Sequence, residues 1–205
     1  MDCNCPEPTA LTEIVAENCG VDLKQIQRIA VQRYGDVFDS AGTPTPTDIL
    51  ELATWQAKKI SETDLKIVFT PMIGGDPVIE AGEAIRNGGG DNSTLNGVEE
   101  IDGTNPSAFS CVFKSLPSTT ESQLKLLMCE KNLVVYLFLS GGRIAVVKVS
   151  ATQKKGFPIQ SFFVSDRSNQ GFGTKDTVSM SFSLPEGWSN DLEIVKPNFN
   201  PFTDL

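Results

Sequence analysis

The sequence predicts a mainly β domain of α+β character: an antiparallel β-sandwich or barrel of about eight strands with one packed helix. A short helix toward the N-terminus and extended arms at the ends complete the expectation. Three observations carry it. Thr177 to Leu184 alternates throughout, Val178, Met180, Phe182 and Leu184 against Thr177, Ser179, Ser181 and Ser183. That is the period of a strand with one face in a core and the other wet or facing a partner. Leu133 to Leu139 is an unbroken apolar run, seven residues long, which is strand length and apolar on both faces. Turn signals such as Asn96-Gly97 and Ser140-Gly141-Gly142-Arg143 punctuate the apolar segments.

Residues 1–20 read as an extended N-terminal arm, because Pro6 and Pro8 bracket Glu7 and favour extended backbone. Residues 21–196 then form a single β-rich domain. Leu23, Ile26, Ile29 and Ala30 recur at helical steps, but the Ile-Ala-Val run with Tyr34 also fits a strand, and Ile26 to Tyr34 is read as one. Pro44 and Pro46 mark a link. Asp48 with Glu51 three residues on is an N-cap pair, and a helix is expected over 48–58, with Ile49, Leu52, Ala53 and Ile60 on one stripe and Trp55 on its flank. The period then falls to two: Leu65, Ile67 and Phe69 form a strand stopped by Pro71. Met72 to Arg86 reads as one irregular hairpin, followed by a glycine-rich loop at Gly88-Gly89-Gly90.

Phe109 to Leu116 is a strand with Phe109, Cys111 and Phe113 on one face, and Pro117 ends it. Ser118 with Glu121 reads as a capping box, opening a helix over 119–129 whose single stripe is Leu124, Leu127 and Met128. The run Leu133 to Leu139 returns through a turn as Ile144 to Val149. Lys154-Lys155-Gly156 reads as a second turn before a strand at Pro158 to Val164. Asp166 to Asp176 is a polar loop, Pro185 to Asn190 a turn, and Leu192 to Val195 a last strand. The C-terminal tail, residues 197–205, places Phe199 and Phe202 around Asn200-Pro201, which marks it for docking on this subunit or a neighbour.

Composition narrows the chemistry. The 205 residues carry 26 acidic against 17 basic side chains, a net charge of -9. No basic run exceeds two residues, so the dense cationic face that grips nucleic acid is not expected. There is no histidine, which excludes Ser-His and Cys-His nucleophile pairs and histidine metal ligands. A carboxylate pair is the remaining catalytic option. Asp166, Asp176 and Glu186 lie near strand ends, but nothing sets two of them at bond-cleaving distance, and solvated loop acids are the expectation. The cysteines number five. Cys111 and Cys129 read as small buried apolar residues. Cys3, Cys5 and Cys19 lack a fourth ligand and the spacing of a zinc site, and read as free thiols.

The triple glycine lacks the following Lys-Ser/Thr and helix of a phosphate cradle, and reads as a loop. Asn92-Ser93-Thr94 matches a glycosylation sequon, here read as chance. Neither a basic n-region nor an apolar h-region opens the chain, so a secretory signal is not expected. No run reaches the ~20 apolar residues of a membrane helix.

The order of these elements resembles the tube proteins of tailed bacteriophages and their injection-machine relatives: a long strand, a capped helix, a strong hairpin, then a late alternating strand. The opening Cys3-Asn4-Cys5-Pro6-Glu7-Pro8, the stretch ELATW at Glu51 to Trp55, and GGGDNSTLNG at Gly88 to Gly97 are similar to virion proteins of phages from gut bacteria. The resemblance implies a ring-forming virion structural protein with no catalytic, cofactor or metal site. Its partners would be copies of itself in rings and neighbouring virion proteins, with DNA passing through without specific binding and with no membrane anchor. Thr177 to Leu184 and Leu133 to Val149 would be sheet-forming strands. Met1 to Gly20, Gly88 to Gly97 and Phe199 to Leu205 would be contact elements. A capsid decoration or auxiliary protein, a head-tail connector ring protein and an adhesion module are the alternatives.

Overall fold

The computed structural model describes residue 23, residues 25–90 and residues 93–205. Among them the chain is mainly antiparallel β, with two α-helices packed on the sheets. Thirteen strands form rather than about eight, because several two- to four-residue segments pair as strands despite lacking a readable period. The expected arm at residues 1–20, with Cys3, Cys5 and Cys19, lies outside the described residues, as does Asn92 of the sequon.

The apolar run is the organising strand, β8 (Leu133–Leu139), buried at every residue. The segment read as a strand near the N-terminus, β1 (Ile26–Arg33), pairs with it along its whole length, with one bulge between Ile26 and Arg28. On its other side, β8 is shared end to end. Its Leu137–Leu139 half pairs with β9 (Arg143–Lys148) in the expected hairpin. The hairpin then opens. Into the gap comes one almost continuous run, β10 (Gln153–Lys155) on β9 and β11 (Phe157–Val164) on β8. Lys154-Lys155 is therefore strand, not turn. Gly156 sits at the changeover, where an added Cβ would lie 2.9 Å from the Val135 carbonyl oxygen and 3.0 Å from Val134.

A second bulge divides the fold into two sheets. Between Gln160 and Phe163 the register of β11 slips against β12 (Thr177–Leu184), and Ser161 takes a φ of 53°. The slip swaps the phase of the strand. Phe157 and Ile159 point inward before it, Phe162 and Val164 after it. Past the bulge, β12 pairs in full with β7 (Ser107–Lys114), and β7 with β4 (Val78–Glu80). The first sheet is completed by β3 (Ile67–Phe69) on β1, β2 (Phe38–Asp39) on β10, and β13 (Leu192–Val195) on β9.

Two cores result, one on each face of the first sheet. Leu133, Val135, Leu137 and Leu139 face the second sheet and meet Phe109, Cys111 and Phe113 of β7 and the apolar face of β12. Val134, Tyr136 and Phe138 face the opposite way, toward α1 (Leu52–Ile60) and the C-terminal tail. Trp55 is the hub of this outer core, wholly buried, with its ring within 6.1 Å of those of Phe38, Phe69, Tyr136 and Phe138. The molecule is thus three layers: sheet, sheet, then helix and tail.

Both helices depart in detail from the sequence reading. The expected helix over 48–58 begins later, at Leu52. Asp48 accepts instead from the Leu50 N–H at 2.9 Å, making a local turn, a well-known alternative for Asp. That delay rotates the buried face onto Trp55 and Lys58, and leaves Ile60 78% exposed. The second helix, α2 (Ser118–Leu126), starts on Pro117 and makes no side-chain capping bond. Glu121 is drawn away to Lys125 and Arg167 rather than closing a box. A 3₁₀ turn follows at Leu127–Cys129 and turns Cys129 outward, so it is exposed while Cys111 is buried as expected. Met72 to Arg86 is not one hairpin, since β4 joins the second sheet and the next strand pairs elsewhere.

The tail docks on its own subunit. Asn198 N–H donates to Leu50, Lys59 to the Leu205 carbonyl, and Phe199, Phe202 and Leu205 pack on the outer core.

Candidate assembly surface

Gly82 starts an excursion out of the second sheet. An added Cβ there would fall 1.6 Å from the Asn105 carbonyl oxygen, so the two chain passes touch and no other residue fits. From this neck rises a hairpin of β5 (Ala84–Asn87) and β6 (Glu100–Thr104), closed at its base by Asn105 N–H on Glu83 O at 2.9 Å. Arg86 pairs with Glu99 at 2.9 Å across it. At the tip, Asn96 and Gly97 both take positive φ, 58° and 65°, the backbone that the Asn-Gly pair favours. The hairpin belongs to neither core. Ile85, Val98 and Ile101 are exposed, Ile101 by 65%, and Glu83, Glu99, Glu100 and Asp102 make the hairpin acidic.

The neighbouring sheet face is partly uncovered, with Ala108, Ser110 and Ser179 exposed and Ser181 and Ser183 half-buried. The strands β7 and β12 turn Ala108, Ser110, Ser179, Ser181 and Ser183 outward, with Ser110 opposite Ser181 and Ala108 opposite Ser183. Phe163 of β11 stands 54% exposed on the same sheet. The short strand β4 ends this sheet, and no further strand pairs with it among the described residues.

The loop between β11 and β12 is a third protruding element, and it is tied down. Arg167 donates to the Leu116 carbonyl at 2.6 Å and pairs with Glu121 at 3.0 Å and Asp176 at 3.5 Å. Lys125 bridges Glu121 and Asp166 at 2.8 and 2.6 Å. Asn169 donates to Asp176 at 2.6 Å and accepts from the Gly171 N–H at 2.7 Å. At the tip, between Gly171 and Gly173, Phe172 is fully exposed. Sequence reading classed this loop as polar and missed Phe172; its flanking glycines were the available signal, since they bury nothing around it.

The three acids singled out from sequence fall in two places. Asp166 and Asp176 share one cluster, each held by a cation, while Glu186 lies in the turn beside Trp188. Hydrogen bonds from Lys125 and Arg167 hold the Glu121 carboxyl below its usual range, and Lys125 does the same to Asp166. A general acid needs the opposite shift. The Cys111 thiol is pushed up to about 12 by burial, away from nucleophilic use. Gly88, Gly89 and Gly90 all take positive φ in the hairpin loop. Among the described residues no cluster of three acidic or cysteine side chains is placed to hold a metal. No helix among them is long and apolar enough to cross a membrane.

No family model and no curated protein matches the chain. Two solved structures show a partial likeness to this chain. One is a chain of the virion of a native gene transfer agent particle, 12% identical, covering 60% of this chain and 87% of its own, with a TM-score of 0.34. The other is a chain of the tail of an empty gene transfer agent particle with C6 symmetry, 11% identical, covering 60% and 84%, also at 0.34. At that identity and score the likeness assigns no function.

Proposed function

We propose that this chain is a non-catalytic, self-assembling structural subunit of a phage-like particle, of the ring-forming kind that stacks into a tail tube. The observation that supports it most is the β5–β6 hairpin. A two-stranded hairpin with no core of its own is marginal in water. This one also shows isoleucine and valine to solvent. Packing against a neighbouring copy removes both costs. The open strand edge at β4 and the small-residue face of β7 and β12 offer further surfaces for joining sheets, which also protects edges from uncontrolled pairing. The net charge of -9 and the acidic hairpin repel phosphate, so DNA would pass a lumen of such subunits without sticking.

Negative-stain microscopy and light scattering of the full chain test the reading. Rings or stacked rings are expected at high protein concentration. Replacing residues 84–104 by a short Gly-Ser turn should leave a folded monomer. A wild-type chain that stays monomeric at every concentration and salt level overturns the proposal.

A further inference from the structure

The inner core is open at one end. Leu23, Ile79 and Trp188 pack against it yet stay half-buried, and with Ile26, Pro77 and Ala81 they wall a groove of about 740 Å³. Its rim is polar: Thr104 and Asn105 at the hairpin neck, Ser189 and Asn190 in the turn before β13, and Glu186 as the one charge. The walls are fixed. The Trp188 indole N–H donates to Ser107 Oγ at 3.1 Å, the Gly82 N–H donates to the same oxygen at 3.3 Å, and the Trp188 ring meets Phe157 edge-on at 5.6 Å. Ser107 is thereby satisfied, and among the described residues no buried side-chain nitrogen or oxygen lacks a partner. The groove therefore offers apolar walls to be covered rather than convergent polar groups that would orient a small ligand.

The chain itself points to the occupant. Leu23, in the wall of the groove, is where the described residues begin. The 22 residues before it carry one cluster of large apolar side chains, Leu11, Ile14 and Val15, set among Thr12, Glu13 and Glu17. Apolar groups between polar ones suit an apolar floor with a polar rim. From Leu23 back to Val15 is eight residues, at most about 26–29 Å of chain, so the cluster can double back over the groove. Tethering also favours a copy's own segment over another copy's, because a short linker holds it at about millimolar effective concentration.

We propose that Leu11, Ile14 and Val15 of each copy seat in the groove of that same copy and close the open end of its inner core. The inference does not depend on the self-assembly reading. The test uses the full chain with a photo-cross-linking phenylalanine analogue in place of Ile14, mixed as isotopically light and heavy chains and mapped by mass spectrometry. Links from position 14 to residues 77–81 or 185–190 within one isotopic form are expected. Links that join light to heavy chains, links to other regions, or no links at all overturn the proposal. A second measurement needs no analogue. Trp55 is wholly buried, so Trp188 is the tryptophan that senses the groove. Leu11→Ser, Ile14→Ser and Val15→Ser combined should shift its emission to the red and increase its quenching by acrylamide, with the far-ultraviolet circular dichroism spectrum unchanged. Emission and quenching equal to those of the wild type overturn the proposal.

Discussion

The outer core contains a cation, and its removal gives the sharpest test of how that layer is held. Lys58 pairs with Asp36, their side chains 7% and 17% exposed. The ammonium also lies 4.8 Å over the Phe38 ring. Behind Asp36, Gln32 donates to it at 2.7 Å and to the Leu65 carbonyl at 2.9 Å, and accepts from the Tyr136 hydroxyl at 2.9 Å. Every buried side-chain nitrogen and oxygen among the described residues has a partner. Lys58→Met keeps the stem packed but leaves the Asp36 carboxylate with Gln32 as its one remaining donor.

Stranding one member of a buried pair costs roughly 3–5 kcal/mol, and the residual exposure of Asp36 argues for about 3. That is about a fifth to three fifths of the stability expected of a domain, about 5–15 kcal/mol. In a chain this long it should lower Tm by roughly 6–12 °C. Asp36→Leu alone should cost a similar amount, because it strands the ammonium. The double variant leaves no charge behind and should cost about 1 kcal/mol, so the coupling between the two sites should be several kcal/mol. Urea unfolding followed by tryptophan fluorescence reads all four proteins. Single variants costing below about 0.5 kcal/mol, as an exposed pair would, or a double variant equal to the sum of the singles, would refute the buried-pair argument.

Three further outcomes are expected. The Glu121 carboxyl is depressed below its ordinary value of 4.5 by Lys125 and Arg167, so the unfolded chain takes up its proton more readily than the folded one. Its contribution is therefore complete above that value and lost as pH falls through the lower folded one. The exchange protection factors of residues 165–176, taken relative to the intrinsic rate at each pH, should fall under acid in the wild type, and Glu121→Gln should already show low protection at pH 7. Gly156→Ala should destabilise by about 1–3 kcal/mol, measured by urea unfolding, since its Cβ meets Val135 backbone at 2.9 Å. Mass-spectrometric mapping of a thiol reagent should find Cys129 labelled in the folded protein and Cys111 labelled on unfolding alone.

The long elements were legible because their signals are local. Alternation in Thr177 to Leu184 and the doubly apolar run of β8 need no partner to be read, and both stand as expected. What escaped depends on distance. The β10 residues Gln153–Lys155 carry two lysines and look like a turn; they are strand because an opened hairpin gives them β9 to pair with. The bulge at Ser161 is set by the need to cross between sheets, which no window around it encodes. Asp48 and Glu121 had the right residue types for caps, but a nearer N–H and two cations outcompeted the helix ends. Asn96-Gly97 is legible as a turn, but the hairpin it closes, residues 84–104, is not: the sequence places a hairpin over 72–86 instead, and the detachment from both cores has no local signal.

Each copy carries a charge of -9, so copies repel one another, and ion pairs are a poor source of the adhesion that a ring needs. One exposed rim ion pair is worth about 0.2–1 kcal/mol and sets direction more than strength. Apolar insertion is different. Fully burying a phenylalanine side chain contributes about 1.5–3 kcal/mol relative to leaving it in water. Exposed apolar side chains stand on the protrusions, with Phe172, Val98 and Ile101, and on the body as well, with Ile60, Leu126 and Phe163. Protrusions engage when a neighbour presents a matching recess in the right orientation. Like charge elsewhere disfavours every other approach, so the same composition that weakens random contact favours ordered assembly.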